Sequence, residues 1–291
     1  MRIAAARWPL WRVLAMFVAG GFAGLSRAEG VLDPQGPIAA ADREILLNAT
    51  AIMLVVVVPV IVLILAFAWW YRASNTRAAY EPNWAHSGRV EFVVWSIPAM
   101  VVLLLAVVAW IGAHDLDPAR KLSSTVKPLR IEVVALDWKW LFIYPDLQVA
   151  TLNQIIVPTG VPIEFLLTSS NVMNAFWVPQ LGSQIATMPG MTTHLNLLAE
   201  HAGDYPGLSG NFSGEGFSDM HFLVHALPGA AFSSWLAATR AQGVSLDAGT
   251  YSQLSRSGSD VSIKAFGGVE RGLFERIERQ TTGAPAVPME Q

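Results

Sequence analysis

The sequence predicts a transmembrane hairpin of two helices, followed by an all-β sandwich and a helical, aromatic-rich C-terminal extension. Two long apolar segments without charged residues predict the hairpin. From about residue 125 onward, apolar and polar side chains alternate in short stretches separated by turn sequences, a pattern typical of half-buried strands. Hydrophobic residues make up 53% of the 291 residues and charged residues 14%, as expected for a chain divided between lipid and water.

The first 28 residues have the features of a secretory signal peptide. Three arginines accompany an apolar run from residue 13 to 25, and the small residues Ser26 and Ala28 precede a cleavage point after Ala28. The run is shorter than the ~20 residues that a spanning helix needs. We therefore predict cleavage, which leaves residues 29–44 as an exported N-terminal segment. An uncleaved N-terminal anchor is the alternative.

Residues 45–71 and 92–113 are predicted to form transmembrane helices 1 and 2. Both ranges are uncharged, and both exceed the ~18 residues that mark a candidate span. Pro59 and Pro98 are tolerated within membrane spans, where neighbouring helices satisfy the freed carbonyl groups. A buried helical pair in a soluble protein is the alternative, but neither segment has the amphipathic face that such a helix shows.

The connection between the spans, residues 72–91, sets the predicted orientation. Up to residue 89 it carries Arg72, Arg77 and Arg89 against the single acidic residue Glu81. Because positively charged loops remain in the cytoplasm, both the N-terminus and the C-terminal domain are expected in the periplasm. The predicted location is the inner membrane of a bacterium.

Residues 125–228 are predicted to form an antiparallel sandwich, and residues 229–280 to form helices and loops packed on it or on a partner. The alternating apolar positions include Ile131, Val133 and Ala135, then Ile163, Phe165 and Leu167, then Leu195 and Leu197, and finally Met220, Phe222 and Val224. Arg130, Glu132 and Val134 alternate with the first three and are predicted to form a face of mixed polarity. Later apolar residues recur at helical spacing: Phe232, Trp235 and Leu236, then Leu273, Phe274 and Ile277. The tail, residues 281–291, is predicted to be disordered.

Composition excludes several kinds of site. Without cysteine, the chain can form no disulfide, thiolate metal site or lipidated N-terminal cysteine. The formal charge of −3 gives no indication of nucleic-acid binding.

On a strand, His221 and His225 would be about 13 Å apart, too far to share a metal ion, whereas on a helix they would be adjacent. Four methionines offer a soft copper(I) site but are more typical of core packing: Met173, Met188, Met191 and Met220.

Five motifs carry a resemblance to a known family. They are FAWWYRASN at 67–75, PNWAHS at 82–87, DWKWLFIYP at 137–145, VMNAF at 172–176 and LGSQI at 181–185. Over roughly residues 31–275, the chain resembles subunit II of cytochrome bo-type ubiquinol oxidases, the quinol-oxidase branch of the haem-copper oxidases. The resemblance implies a cupredoxin-like fold for the sandwich and an aromatic-rich extension after it.

The resemblance also implies that a copper centre has been lost. In the cytochrome c branch, one His and the pattern Cys-x3-Cys-x3-His-x2-Met hold a dinuclear copper centre that requires soft sulfur ligands. The corresponding positions here are Asn174, Phe212, Gly216, Met220 and Leu223. Since every side-chain ligand is changed, we expect no metal in this chain and no cytochrome c as electron donor.

Two further sets of residues gain a role through the resemblance. Glu91 matches a glutamate at the entrance of the proton channel that runs through a conserved lysine of subunit I. The alternative is a solvated interfacial residue paired with Arg89.

Trp138 and Trp140 match the aromatic stretch that receives electrons in copper-bearing relatives. Because Trp138 and Trp140 are alternate residues of a predicted strand, we expect both to pack against one sheet face or against subunit I.

The implied function is that of a non-catalytic subunit of a proton-translocating ubiquinol oxidase. Subunit I would hold the quinol site, the haems and the copper, with ubiquinol as the substrate of the complex, while this chain binds no cofactor. The implied partners are oxidase subunits I, III and IV and the lipid bilayer, and the implied role is structural, in assembly, and at a proton entrance. A copper-bearing subunit that accepts electrons from cytochrome c and a stand-alone binding or copper-delivery module are the alternatives.

Overall fold

The computed structural model describes residues 30–79, 81–256, 258 and 262–281. The predicted signal peptide and residues 282–291 of the predicted disordered tail lie outside these described residues. The described part comprises two long apolar helices, a β-sandwich and a C-terminal extension. The predicted fold class is confirmed.

The two long helices, α1 (Pro37–Trp70) and α2 (Gly88–Asp115), are long and apolar enough to cross a membrane. Each helix begins before the uncharged segment that was predicted to span the membrane, so each helix is longer than its predicted span. Helix α1 begins where Gly36 is extended and Pro37 occupies the first turn, a position suited to proline because no backbone N–H is needed there. The absence of charge therefore marks the membrane-compatible part of each helix, not its ends.

The extra turns of α1 pack on the sandwich. Ala39 is buried, and Ser183 donates a hydrogen bond of 2.7 Å to Oδ2 of Asp42. Just before the helix, the backbone N–H of Gln35 donates to the carbonyl of Gln180. The N-terminal segment is thus continuous with the first helix and fixes it to the sandwich.

The sandwich consists of two mixed sheets. Their strands are β1 (Leu129–Leu136), β2 (Lys139–Tyr144), β3 (Val149–Leu152), β4 (Gln154–Pro158), β5 (Ile163–Ser169), β6 (Asn174–Trp177), β7 (Ile185–Thr187), β8 (Thr193–Leu197), β9 (Gly203–Ser209), β10 (His221–Leu227) and, from the C-terminal extension, β12 (Lys264–Phe266). A six-stranded sheet has the order β12-β3-β2-β1-β5-β8, and a five-stranded sheet has the order β4-β10-β9-β6-β7. The prediction of an antiparallel sandwich was wrong in part, because β1 pairs in parallel with β5 and β4 in parallel with β10.

An aromatic core fills the space between the sheets. Phe176 stacks on Phe222 with ring centroids 4.9 Å apart, and Trp140 meets both rings edge-on at 5.6 Å. The strand residues predicted to face inward, such as Ile131 and Val224, belong to this cluster. Burying large aromatic side chains supplies much of the stabilisation of such a core.

The C-terminal extension covers the outer face of the six-stranded sheet. It contains α3 (Gly229–Ala241), β11 (Ser245–Leu246), α4 (Ala248–Leu254), β12 (Lys264–Phe266), β13 (Gly268–Val269) and α5 (Leu273–Thr281). Helices and loops alone were predicted, but β12 joins the sheet beside β3. A second apolar cluster forms beneath the extension and buries Val134 and Leu136, so β1 is buried on both faces and not on one.

Candidate functional site

The five positions that correspond to copper ligands lie at or near one end of the sandwich. Asn174 begins β6 and is 1% exposed. Its side chain accepts a hydrogen bond of 3.1 Å from Ser209 and donates one of 3.2 Å to the carbonyl of Val172. Met220 follows a short 3-10 helix, Phe217–Asp219, and is buried in the aromatic core. Both side chains are therefore engaged in packing or hydrogen bonds.

The two positions that correspond to cysteines are equally unsuited to a metal. Phe212 is 75% exposed and contacts the Phe217 ring edge-on at 5.7 Å. Gly216 lies against the indole of Trp138, where a Cβ would be only 2.6 Å from Cγ of the ring. The indole Nε1 donates a hydrogen bond of 3.0 Å to the carbonyl of Ser213. An aromatic ring thus occupies the space beside Gly216.

Leu223 is half-buried on β10, between the inward-facing Phe222 and Val224. Since successive strand residues face opposite sides of a sheet, Leu223 points away from the aromatic core. Within the described ranges, no group of three or more His, Cys, Asp or Glu side chains is arranged to hold a metal ion. The residues at these five positions do not fit the copper centre of the cytochrome c branch.

The sequence predicted that Trp138 and Trp140 share a sheet face, but the structure places them in different surroundings. Trp138 lies in the turn between β1 and β2 and has a φ of 61°, while Trp140 is a fully buried strand residue. The tight turn breaks the alternation between the two residues. Trp138 therefore packs over the loop that carries Gly216, and Trp140 packs inside the sandwich.

The histidine pair lies on β10, so the strand interpretation of this segment is confirmed. His221 is exposed, whereas Nδ1 of His225 lies 2.7 Å from Oδ1 of Asp204 on the neighbouring strand. The two histidines thus have separate surroundings.

Glu91 lies in the first turn of α2, at the end of the helix that joins the connecting loop. Its Oε1 lies 2.5 Å from Nδ1 of His86, with 53% of the Glu91 side chain and 69% of the His86 side chain exposed. The carboxylate is therefore paired with His86, not with Arg89 as the alternative interpretation had it. His86 was not predicted to take part in this site, and its place just before the helix was the available signal.

Glu132 on β1 is a second residue that the sequence did not single out, and it is only 5% exposed. Burial raises its pKa to about 7, and the nearby carboxylates Glu275 and Asp146 act in the same direction. Arg130, whose Nη2 is 3.3 Å from Oε1, partly opposes this shift. The alternation of side chains along β1 predicted that Glu132 lies on a face of mixed polarity. In the structure, the C-terminal extension covers this face.

The chain is similar to known oxidase subunits over most of its length. The model of the family described as cytochrome c oxidase subunit II, periplasmic domain, matches residues 146–227. The cytochrome bo(3) ubiquinol oxidase subunit 2 of Pseudomonas aeruginosa is 47% identical over 247 residues, covering 85% of this chain and 75% of the relative. The ubiquinol oxidase subunit 2 of Acetobacter aceti is 46% identical over 249 residues, covering 85% and 81%.

More distant similar proteins are also second subunits of oxidases. The quinol oxidase subunit 2 of Bacillus cereus is 33% identical over 259 residues, covering 89% of each chain. Among solved structures, the periplasmic domain of subunit II of cytochrome oxidase from Bradyrhizobium japonicum is 21% identical, with a TM-score of 0.39, and covers 43% of this chain and 98% of that one.

The resemblance predicted from the five motifs is confirmed by these relatives. The pairing of two apolar helices with a periplasmic subunit II domain agrees with the predicted membrane attachment. Identity of 46–47% over most of both chains shows that this chain belongs to the family of ubiquinol oxidase subunit 2, within subunit II of the haem-copper oxidases.

Proposed function

We propose that the chain acts in a proton-translocating ubiquinol oxidase as a subunit that binds no metal. Its two helices would dock on subunit I, which would hold the haems, the copper and the quinol site, and subunits III and IV would complete the complex. The sandwich and the N-terminus would lie in the periplasm. This orientation is supported by the three arginines of the connecting loop.

The observation that carries this proposal is the replacement of every copper-ligand side chain. A twin-copper centre needs thiolates, and the chain contains no cysteine. Gly216 and Asn174 are also engaged with protein groups, through the Trp138 ring and the Ser209 hydroxyl. Because quinol delivers its electrons from within the membrane, the complex needs no metal relay on its periplasmic side.

Purification of the complex from its native membrane tests this function. We expect the chain to bring haem-containing partners with it and to support quinol-dependent oxygen uptake. Oxidation of cytochrome c with near-infrared copper absorption in this chain would contradict the proposal. Recovery of the chain without any haem protein would favour a stand-alone module.

We also propose that Glu91 collects protons at the cytoplasmic end of α2. Its side chain is partly exposed and bonded to an imidazole, so it can exchange protons with water and with His86. An ionisable residue at the end of a membrane helix is a candidate for such a role. The conserved lysine of subunit I would receive the proton.

Glu91→Gln tests this role in oxidase reconstituted into vesicles. Without an ionisable group, we expect proton uptake to slow by about tenfold, since positioned proton-transfer groups contribute at least that much. Glu81→Gln is the matched control, because Glu81 is an exposed carboxylate in the same loop. Equal proton uptake in the two variants would contradict the role of Glu91.

A further inference from the structure

A cavity of about 450 Å³ lies between the six-stranded sheet and the end of the C-terminal extension. Glu132 lines it from β1, and α5 lines it from the opposite side. Its charged lining is mainly acidic and comprises Glu132, Asp146, Glu270, Arg271 and Glu275. The proposed oxidase function assigns no role to this region.

Glu132 occupies a position that otherwise belongs to apolar side chains. Its neighbours across the sheet are Ile143 on β2 and Leu166 on β5. It shares its face of β1 with Val134 and Leu136, which pack in the second apolar cluster against Phe274. Glu132 is therefore covered by the same layer that holds α5 in place.

Two neighbouring carboxylates oppose the ionisation of Glu132, whereas its ion-pair partner Arg130, 3.3 Å away, favours it. Glu275 on α5 and Asp146 after β2 repel a second negative charge, and Arg130 attracts it but has a side chain that is 42% exposed. Several of these groups are already paired: Asp146 with Lys127, Glu270 with Arg276, and Glu164 on β5 with Lys121. Glu278 on α5 accepts a hydrogen bond of 2.7 Å from Thr192. The packed elements also carry Arg271, Arg279 on α5, Tyr251 on α4, Lys264 on β12, Lys139 and Tyr144 on β2, and His194 on β8.

We propose that Glu132 is a proton-operated latch, which holds α5 against the sheet when protonated and loosens it when ionised. A neutral carboxyl group is accommodated in this apolar layer, but an ionised one loses hydration and faces Glu275. Release of α5 returns water to the carboxylate and removes the repulsion. The docking of the extension thereby reports the pH of the compartment that surrounds the sandwich.

The direction and size of the effect follow from linkage. In the docked state, burial and Glu275 raise the pKa of Glu132 from its ordinary 4.5 to about 7. Because α5 supplies Glu275 and part of the burial, the docked state binds the proton more tightly than the released state. The stability of docking is therefore highest below pH 4.5, falls as the pH rises, and becomes constant above about pH 7. Between pH 5 and pH 8, these pKa values allow the opening equilibrium to rise by up to about 70-fold.

Hydrogen exchange of the α5 amides tests the latch in the purified oxidase. Exchange is measured from pH 5 to pH 8 and normalised to the intrinsic rate at each pH, so that it reports the opening equilibrium. We expect protection of α5 to decrease across this range in the unmodified protein and to remain constant in Glu132→Gln. Glu164→Gln, which changes a half-buried carboxylate on the adjacent strand, is expected to behave like the unmodified protein.

A second variant keeps the test decisive if Glu132→Gln does not assemble. Glu275→Gln removes the repulsion from α5, so the decrease in protection is expected to become smaller and to shift to lower pH. The latch is refuted by protection that does not change with pH in the unmodified protein, or by a pH dependence that persists in Glu132→Gln. An unchanged pH profile in Glu275→Gln refutes it as well.

Discussion

Gly216→Ala tests whether the Trp138 ring fills the space beside Gly216, a position that the resemblance assigns to a copper ligand. A Cβ at this residue would lie 2.6 Å from Cγ and 2.7 Å from Cε3 of Trp138, distances that force a displacement. These ring atoms are close to the backbone, which has a φ of 61° at Trp138, so a change at the end of the side chain cannot relieve the overlap. Gly216 itself has a φ of −88°, which alanine adopts without strain.

The expected loss of stability has two sources. Overpacking in a filled site costs about 1–3 kcal/mol. Displacing the indole also breaks its 3.0 Å hydrogen bond to Ser213, which contributes about 1 kcal/mol. We therefore expect Gly216→Ala to lower the free energy of unfolding by about 2–4 kcal/mol.

The assay is urea unfolding of the detergent-solubilised chain, followed by near-ultraviolet circular dichroism. Gly229→Ala is the matched control, because a Cβ at the start of α3 would meet no atom within 4 Å. We expect the control to be neutral or slightly stabilising, as alanine favours a helix more than glycine does. A change below about 0.5 kcal/mol in Gly216→Ala would show that Trp138 does not fill this space.

Two further substitutions test how the sandwich is held together and attached. In Tyr144→Phe, the buried N–H and C=O of Ile156 lose the hydroxyl that bonds them at 2.8 and 3.1 Å, so we expect a loss of about 2–4 kcal/mol in urea unfolding; a cost below about 0.5 kcal/mol would contradict this. In Ser183→Ala, the hydrogen bond to Asp42 is lost, and we expect about 1–2 kcal/mol less protection of residues 180–184 in hydrogen exchange. Unchanged protection would show that this bond does not fix α1 to the sandwich.

The parts of the fold that were predicted correctly depend on local patterns. An uncharged apolar run is sufficient to identify each long helix, and period-two alternation identified the inner face of strands such as β5 and β10. The turns of α1 that precede its uncharged segment were not predicted, because they depend on Gly36, on Pro37 and on contacts between α1 and the sandwich. Such contacts join segments that are distant in the sequence.

The burial of Glu132 on the outer face of the six-stranded sheet also depends on contacts between segments that are distant in the sequence. Glu132 was assigned to a mixed face because the covering segment, which includes β12 and α5, lies far along the chain. The run of Val133, Val134, Ala135 and Leu136 was an available signal, since consecutive apolar residues in a strand indicate burial on both faces. Glu91 came from the family resemblance, and its partner His86 only from the structure.

At or beside the positions that the resemblance assigns to copper ligands, side-chain hydrogen bonds join separate segments of the chain. Metal ligands drawn from several loops would hold those loops together by coordination bonds. Here the Asn174 side chain bonds to Ser209, joining β6 to β9, and the Trp138 indole bonds to Ser213, joining the β1–β2 turn to the loop before β10. Because these contacts hold this end of the sandwich together without a metal, they support the proposal that the domain has a structural role and not an electron-transfer role.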